Sequence, residues 1–347
     1  MQIYNGKLDY GDIAKNSNGG TEIMARRVAS LDKKLLKDFQ IVVSRLEHPL
    51  DETKIRIYYC HDLPEKSNEH LANGGWRNFH KIVFVSNWQM QRYIDHYNIP
   101  WSKCIVMQNA IDPIEWNDEK WTPDISMETG KGIEKIRLIY HSTPHRGLEI
   151  LVPVFQKLCE KHDNLELDVF SSFDLYGWSD RDIAHKDLFD ACRADPKINY
   201  HGTKPNKEVR ETLADTHIFA YPSMWPETSC LALMEAMSAG CICVHSNYAA
   251  LPETSANWTH MYHFHEDKQE HAKIFYTVLA GAIEDIKSNA EGVLGRLKTQ
   301  KSYCDIFYSW NPNRHVQWQA LLHMLLDQVK DRGYEQPKND EMFVYRG

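Results

Sequence analysis

Short runs rich in apolar and β-branched residues recur along the chain, at 39–43, 55–60, 82–85, 104–107, 136–140, 165–170, 218–221 and 241–244. Stretches with apolar positions at helical spacing fall between them, near 21–37, 88–97, 147–161, 206–214, 229–239 and 269–289. Two more follow at 293–308 and 312–330. Near-continuous apolar runs are the mark of strands buried on both faces. Their alternation with helices predicts α/β architecture with parallel sheets covered on both sides. Trp310-Asn311-Pro312 interrupts the last two helical stretches, and Pro312 suits the first turn of a new helix.

The length of 347 residues fits about two domains. The least patterned segment is 117–134, where Pro123, Gly130 and Gly132 lie among charges. It reads as the linker between a small first domain, 1–125, and a second domain, 135–310.

Composition narrows the class. Hydrophobic residues make up 42% and charged residues 25%, as in an ordinary globular chain. A net charge of −8 argues against a nucleic-acid partner held by a general basic surface. There is no run of eighteen apolar residues, so no membrane span is expected. The first ten residues hold no apolar signal core, so a cytoplasmic place, or peripheral contact with a membrane, is expected. The eight cysteines form no C-x-x-C pair and read as reduced thiols. The dinucleotide fingerprint, the P-loop, G-x-S-x-G and H-E-x-x-H are all missing.

Ligands of open α/β sheets sit outside the carboxyl ends of strands. Polar residues crowd those ends here: His61-Asp62, Ser86-Asn87, Asn109-Ala110-Ile111-Asp112 and His141-Ser142-Thr143-Pro144-His145-Arg146-Gly147. The most informative end follows the strand at 218–221. There Pro222 and Pro226 bracket a loop, and a helix runs from about Ser229 to Gly240. Glu227 lies in the loop and Glu235 eight positions later in the helix. The helix start between them, Thr228-Ser229-Cys230-Leu231, offers free N–H groups and a favourable dipole to a phosphate. Leu231, Leu233, Met234, Ala236 and Met237 make the helix mostly buried, so a carboxylate on it needs a polar partner.

The run 222–240 resembles the signature of the retaining GT-B glycosyltransferases, the large family 4 group (glycosyl transferases group 1). The spacing of Glu227 and Glu235 matches, as do Pro222, Ser223, Leu231, Ala236, Met237 and Gly240. Thr228 and Cys230 stand where that family usually has glycine. Arg146-Gly147 resembles its Lys-Gly, whose cation meets the donor diphosphate. His141 stands where a second cation is usual, which either weakens one phosphate contact or makes it pH-dependent. Gly19-Gly20 resembles its phosphate-approaching Gly-Gly loop, and His61 its active-site histidine. Trp310 and Trp318 resemble its closing segment. The resemblance implies two Rossmann-like domains facing across a cleft, with a C-terminal helix at 311–335 packing back on the first.

It also implies a nucleotide-diphosphate sugar (UDP-, GDP- or ADP-linked) as donor substrate, retention of configuration, and no metal or other cofactor. The acceptor, whether glycan, lipid, protein or small molecule, is left open. Arg146, the helix start at 228–231 and Gly19-Gly20 are expected to hold the diphosphate, and Glu235 the ribose. Glu227 and His61 are expected to orient the sugar, with Lys204 a further donor contact. Asp180-Arg181-Asp182 matches the metal motif D-x-D, but a chain with 48 acidic residues produces such a match easily. The competing readings are a GT-B epimerase or phosphorylase and a non-catalytic scaffold of the same fold.

Overall fold

The computed structural model describes residues 1–11, 19–121, 133, 135–288, 290–331 and 333–337. The chain forms two compact units, Met1–Ala110 with Tyr308–Gly347, and Ile111–Phe307. The transition at Ala110 precedes the expected linker, of which residues 122–132 and 134 lie outside the described residues. Residues 111–121 already belong to the second unit: the buried Lys120 amine donates to the carbonyls of Thr216 (3.0 Å) and Ala239 (2.8 Å).

The first unit opens with a hairpin that the apolar pattern did not reveal: β1 (Gln2–Tyr4) pairs antiparallel with β2 (Lys7–Asp9). Asn5 and Gly6 both have positive φ, 50° and 70°, the geometry of a two-residue hairpin turn for which Asn-Gly is the preferred pair. Helices α1 (Gly20–Ala29) and α2 (Lys33–Leu36) follow. The single helix expected over 21–37 is therefore broken, and Asp32 caps its second piece by accepting from the Lys34 amide at 2.9 Å. Strands β3 (Phe39–Val43), β4 (Ile55–Tyr59), β5 (Lys81–Phe84) and β6 (Cys104–Val106) are parallel, with α3 (Asn87–Tyr97) between the last two. The sheet runs β2-β1-β3-β4-β5-β6, with β1 antiparallel to β3.

The second unit is a wholly parallel sheet of β7 (Ile136–His141), β8 (Leu165–Phe170), β9 (Ile198–Tyr200), β10 (Ile218–Tyr221), β11 (Ile242–Ser246) and β12 (His260–Tyr262). Its helices are α4 (Leu148–Cys159), α5 (Lys186–Ala194), α6 (Asn206–Ala214), α7 (Leu231–Ser238), α8 (Leu251–Ser255), α9 (Lys268–Ser288) and α10 (Ala290–Tyr308). The short strands β9 and β12 and helix α5 were missed by the pattern, each being short or strongly polar. The order β12-β11-β10-β7-β8-β9 means that the chain winds outward from β7 in one direction and from β10 in the other. The crevice where such a sheet reverses, between β7 and β10, is where doubly wound folds place ligands.

The last helix, α11 (His315–Leu326), returns to the first unit. Trp318, Leu321, Leu322 and Leu325 join Met1, Ile3, Met24 and Tyr59 in one buried cluster. The Trp318 ring stands edge-on to Tyr59 at 4.9 Å. The expected return of the C-terminal helix is thus present, built on apolar burial. Among the described residues no helix is long and apolar enough to cross a membrane.

Candidate functional site

The site of the second unit grows from the two strands at the reversal. β7 ends in a single 3₁₀ turn, Pro144–Arg146, and Gly147 joins that turn to α4. Gly147 has φ of 117°, and a Cβ there would stand 2.1 Å from the Pro222 carbonyl oxygen. Only glycine tolerates both conditions. Its bare backbone lets the turn after β7 press against the loop after β10, and so sets Arg146 beside Glu227.

The Arg146 guanidinium donates from Nη1 to Glu227 Oε1. The Tyr221 hydroxyl donates to the same oxygen at 2.5 Å, and Oε2 takes neither bond. Glu227 is 5% exposed and Tyr221 fully buried, so this is a charge-assisted cluster in a poorly solvated place. Burial alone would lower the Arg146 pKa, but the charge of Glu227, joined by Tyr221, Tyr176 and the hydrogen bond to Glu227, holds the guanidinium well above its ordinary value. Burial, and then Glu227, push the Tyr221 phenol well up, which keeps it a neutral donor. Arg146 Nε, His141 Nε2, Thr143 Oγ1 and His145 Nδ1 are buried with no hydrogen-bond partner among the described residues. All four belong to the short segment that runs from the end of β7 through the 3₁₀ turn.

Glu235 sits on α7 and is 9% exposed. The partner that its burial requires comes from α6: Arg210 Nη1 donates to Glu235 Oε1 at 3.2 Å and Asn206 Nδ2 at 3.3 Å. The helix begins at Leu231, two residues later than the pattern placed it, with Cys230 as N-cap and no side-chain cap. Cys230 has φ −90° and ψ 98°, and Thr228 is not among the residues of positive φ. Neither position needs glycine for its backbone, so both departures from the family pattern fit without strain. Burial, reinforced by Glu227, raises the Cys230 thiol far above its ordinary pKa and keeps it neutral.

Of the remaining candidates, His141 lies at the end of β7 and the others fall elsewhere. The His141 ring packs against Phe219 at 5.1 Å, and burial pulls its pKa down to about 3. Such burial favours the neutral imidazole. Lys204 is exposed and lies 3.6 Å from Glu208 in a surface ion pair. In the first unit Gly19 is the N-cap of α1, and Glu22 in the next turn is 6% exposed. Burial, with a smaller push from Asp62, raises the Glu22 pKa. His61 follows β4, is 7% exposed, and stacks edge-on to Tyr59 at 4.3 Å; burial brings its pKa to about 3. In the D-x-D match, Asp182 closes a turn by accepting from Ser172 Oγ (2.5 Å) and the Phe173 amide (2.8 Å).

Residues 132–285 match the family Glycosyl transferases group 1, inside the second unit. The chain is similar to one component of the human phosphatidylinositol N-acetylglucosaminyltransferase, with 25% identity over 148 residues, 43% of this chain and 28% of that protein. The match thus spans well under half of that relative's length. Among solved structures it resembles a glycosyltransferase from Rickettsia africae, with TM-score 0.58 and 14% identity, covering 80% of this chain and 72% of that one. Anabaena HepE, solved with UDP-glucose, gives TM-score 0.56 and 13% identity, covering 90% and 78%. The chain has the GT-B fold, and its second unit carries the match to Glycosyl transferases group 1.

Three residues of this site escaped the sequence reading: Tyr221, Asn206 and Arg210. Tyr221 carries a hydroxyl at the carboxyl end of a buried strand, a place where polar atoms are suspect. Asn206 and Arg210 are four apart and share one face of α6. That pairing was legible, but its partner, on another helix, was not.

Proposed function

We propose that this protein transfers a hexose from a nucleotide-diphosphate sugar to an acceptor, with retention of anomeric configuration and without a metal. The carrying observation is the convergence of Arg146 and Tyr221 on Glu227 at the sheet reversal, with Glu235 held on the adjoining helix. Arg146 has donors beyond the one spent on Glu227, and its Nε has no hydrogen-bond partner among the described residues. It would meet the diphosphate together with the first N–H groups of α7. Such donors stabilise charge developing on the leaving group, each worth about 3–4 kcal/mol when well placed. With a fixed guanidinium and a helix dipole supplying positive charge, the leaving diphosphate needs no divalent ion. Glu227 would orient the sugar through hydroxyl contacts, and Glu235 would accept from the ribose. To the first unit we assign acceptor binding, with His61 a neutral hydrogen-bonding group.

The UDP-glucose held by HepE and the N-acetylglucosaminyl transfer named for the human relative make UDP-linked hexoses and N-acetylhexosamines the first donors to test. The test is a thermal-shift panel of UDP-glucose, UDP-N-acetylglucosamine, GDP-mannose and ADP-glucose, followed by turnover of the stabilising donor in EDTA. One donor should raise the melting temperature, turnover should survive chelation, and the product anomer should match the donor. Glu235→Ala should raise the donor KM. Stabilisation by none of the four donors would overturn the reading, and loss of turnover in EDTA would return D-x-D to consideration.

A further inference from the structure

Glu235 is anchored in an unusual way for a carboxylate on a buried helix. Its Oε1 accepts from Arg210 Nη1 at 3.2 Å and from Asn206 Nδ2 at 3.3 Å. Arg210 is not a surface cation that happens to lie nearby. Its Nη2 donates to the carbonyls of Asp112 (2.7 Å) and Pro113 (3.1 Å), and its side chain is 21% exposed. That backbone is fixed in turn, because the Ile114 amide donates to Ser238 Oγ at 2.9 Å. Ser238 lies on α7, three residues beyond Glu235. The guanidinium therefore closes a ring of contacts that begins and ends on the helix carrying Glu235. Held along two edges of its planar fork, it has little freedom to turn.

These two bonds fall on one oxygen and come from one helix, α6, which restricts the rotation of the carboxylate about its last torsion. A ribose presents two adjacent hydroxyls, and a carboxylate reads that pair well only if its plane is fixed beforehand. We propose that Arg210, assisted by Asn206, is a positioning residue that presets the Glu235 carboxylate for the ribose diol, and so makes donor binding depend on the ribose hydroxyls. The inference rests on the donor reading above and deepens it. Arg210 belongs to no part of the sequence signature, and α6 contributes through its face toward α7.

Isothermal titration separates this role from a merely structural tether. The probes are UDP, GDP and ADP, their 2′,3′-dideoxy counterparts, and inorganic pyrophosphate. The wild type should bind one nucleoside diphosphate about tenfold or more better than its dideoxy form, the worth of hydrogen bonds to a charged group. In Arg210→Gln that preference should shrink to about twofold, while pyrophosphate binds as in the wild type. A structural tether would instead weaken pyrophosphate and nucleotide alike and leave the preference intact, which overturns the inference. Asn206→Ala removes one contact from an exposed position and should lower the preference by about threefold. It decides the matter alone if Arg210→Gln does not fold, and an unaltered preference in it then overturns the inference. If the wild type binds none of the nucleotides, the donor reading itself fails. If it binds one with a ribose preference that both variants keep, only the role of Arg210 and Asn206 fails.

Discussion

The Tyr221 hydroxyl lies 2.5 Å from Glu227 Oε1, joining the last residue of β10 to the loop that it launches. The tyrosine is fully buried at the sheet reversal, and its bond shares that oxygen with Arg146. The carboxylate is thereby fixed by one neutral donor at the end of β10 and one charged donor from the turn that follows β7. Tyr221→Phe removes the neutral donor and keeps the ring. A hydrogen bond to a charged group is worth about 1.5–3 kcal/mol, so kcat/KM for the donor should fall by about tenfold or more. Steady-state kinetics with a melting curve check this. A fall in stability with unaltered kcat/KM would make Tyr221 a packing residue only.

Arg146→Ala removes the cation that faces Glu227 and, in the proposed function, the leaving diphosphate. It should lower kcat by about 10²–10³. Arg146→Lys should recover only part of this, because an ammonium lacks the planar fork that serves Glu227 and a phosphate together. Single-turnover kinetics report the step directly, and an undiminished chemical rate in Arg146→Ala would exclude the role.

Gly147→Ala tests whether close backbone approach builds the site. The φ of 117° and the 2.1 Å approach to the Pro222 carbonyl both oppose a methyl group. A strained backbone of this kind costs about 1–3 kcal/mol, and the clash adds to it. The variant should melt earlier and lose activity well beyond its loss of stability, since the turn carrying Arg146 must retreat. A variant that melts earlier but keeps full kcat would show that Arg146 is placed without this contact.

Burial brings the pKa of His61 to about 3 and that of His245 to about 4. Both values lie below the unfolded value of about 6.5, so between these limits the unfolded chain binds the extra protons. The stabilisation is whole above about pH 6.5 and is lost as the pH falls toward the folded values. The melting temperature should therefore decline steadily from pH 6.5 to pH 4.5. Because His61 stays neutral in the folded protein, it should contribute no limb to the kcat profile between pH 5 and pH 8. A melting temperature unchanged across the acid range, or a limb near pH 6.5 that His61→Gln abolishes, would contradict this.

The family resemblance implied the return of the C-terminal helix, and the amino-acid sequence by itself determined the α/β class, the two-unit plan and the loop–helix segment with its paired glutamates. These are local properties: apolar runs mark strands, and a loop followed by a helix start marks an anion site. Even the missed hairpin was written there, in Asn5-Gly6. Tertiary structure alone decided that Tyr221 and Arg146 would share one oxygen of Glu227, and that Arg210 would hold Glu235. It also decided how deeply the His141 ring is buried. Those outcomes depend on which strands become neighbours and how deeply a ring is packed. The Arg146–Glu227 and Arg210–Glu235 pairs span 81 and 25 positions, and such pairing leaves no periodic trace in the sequence.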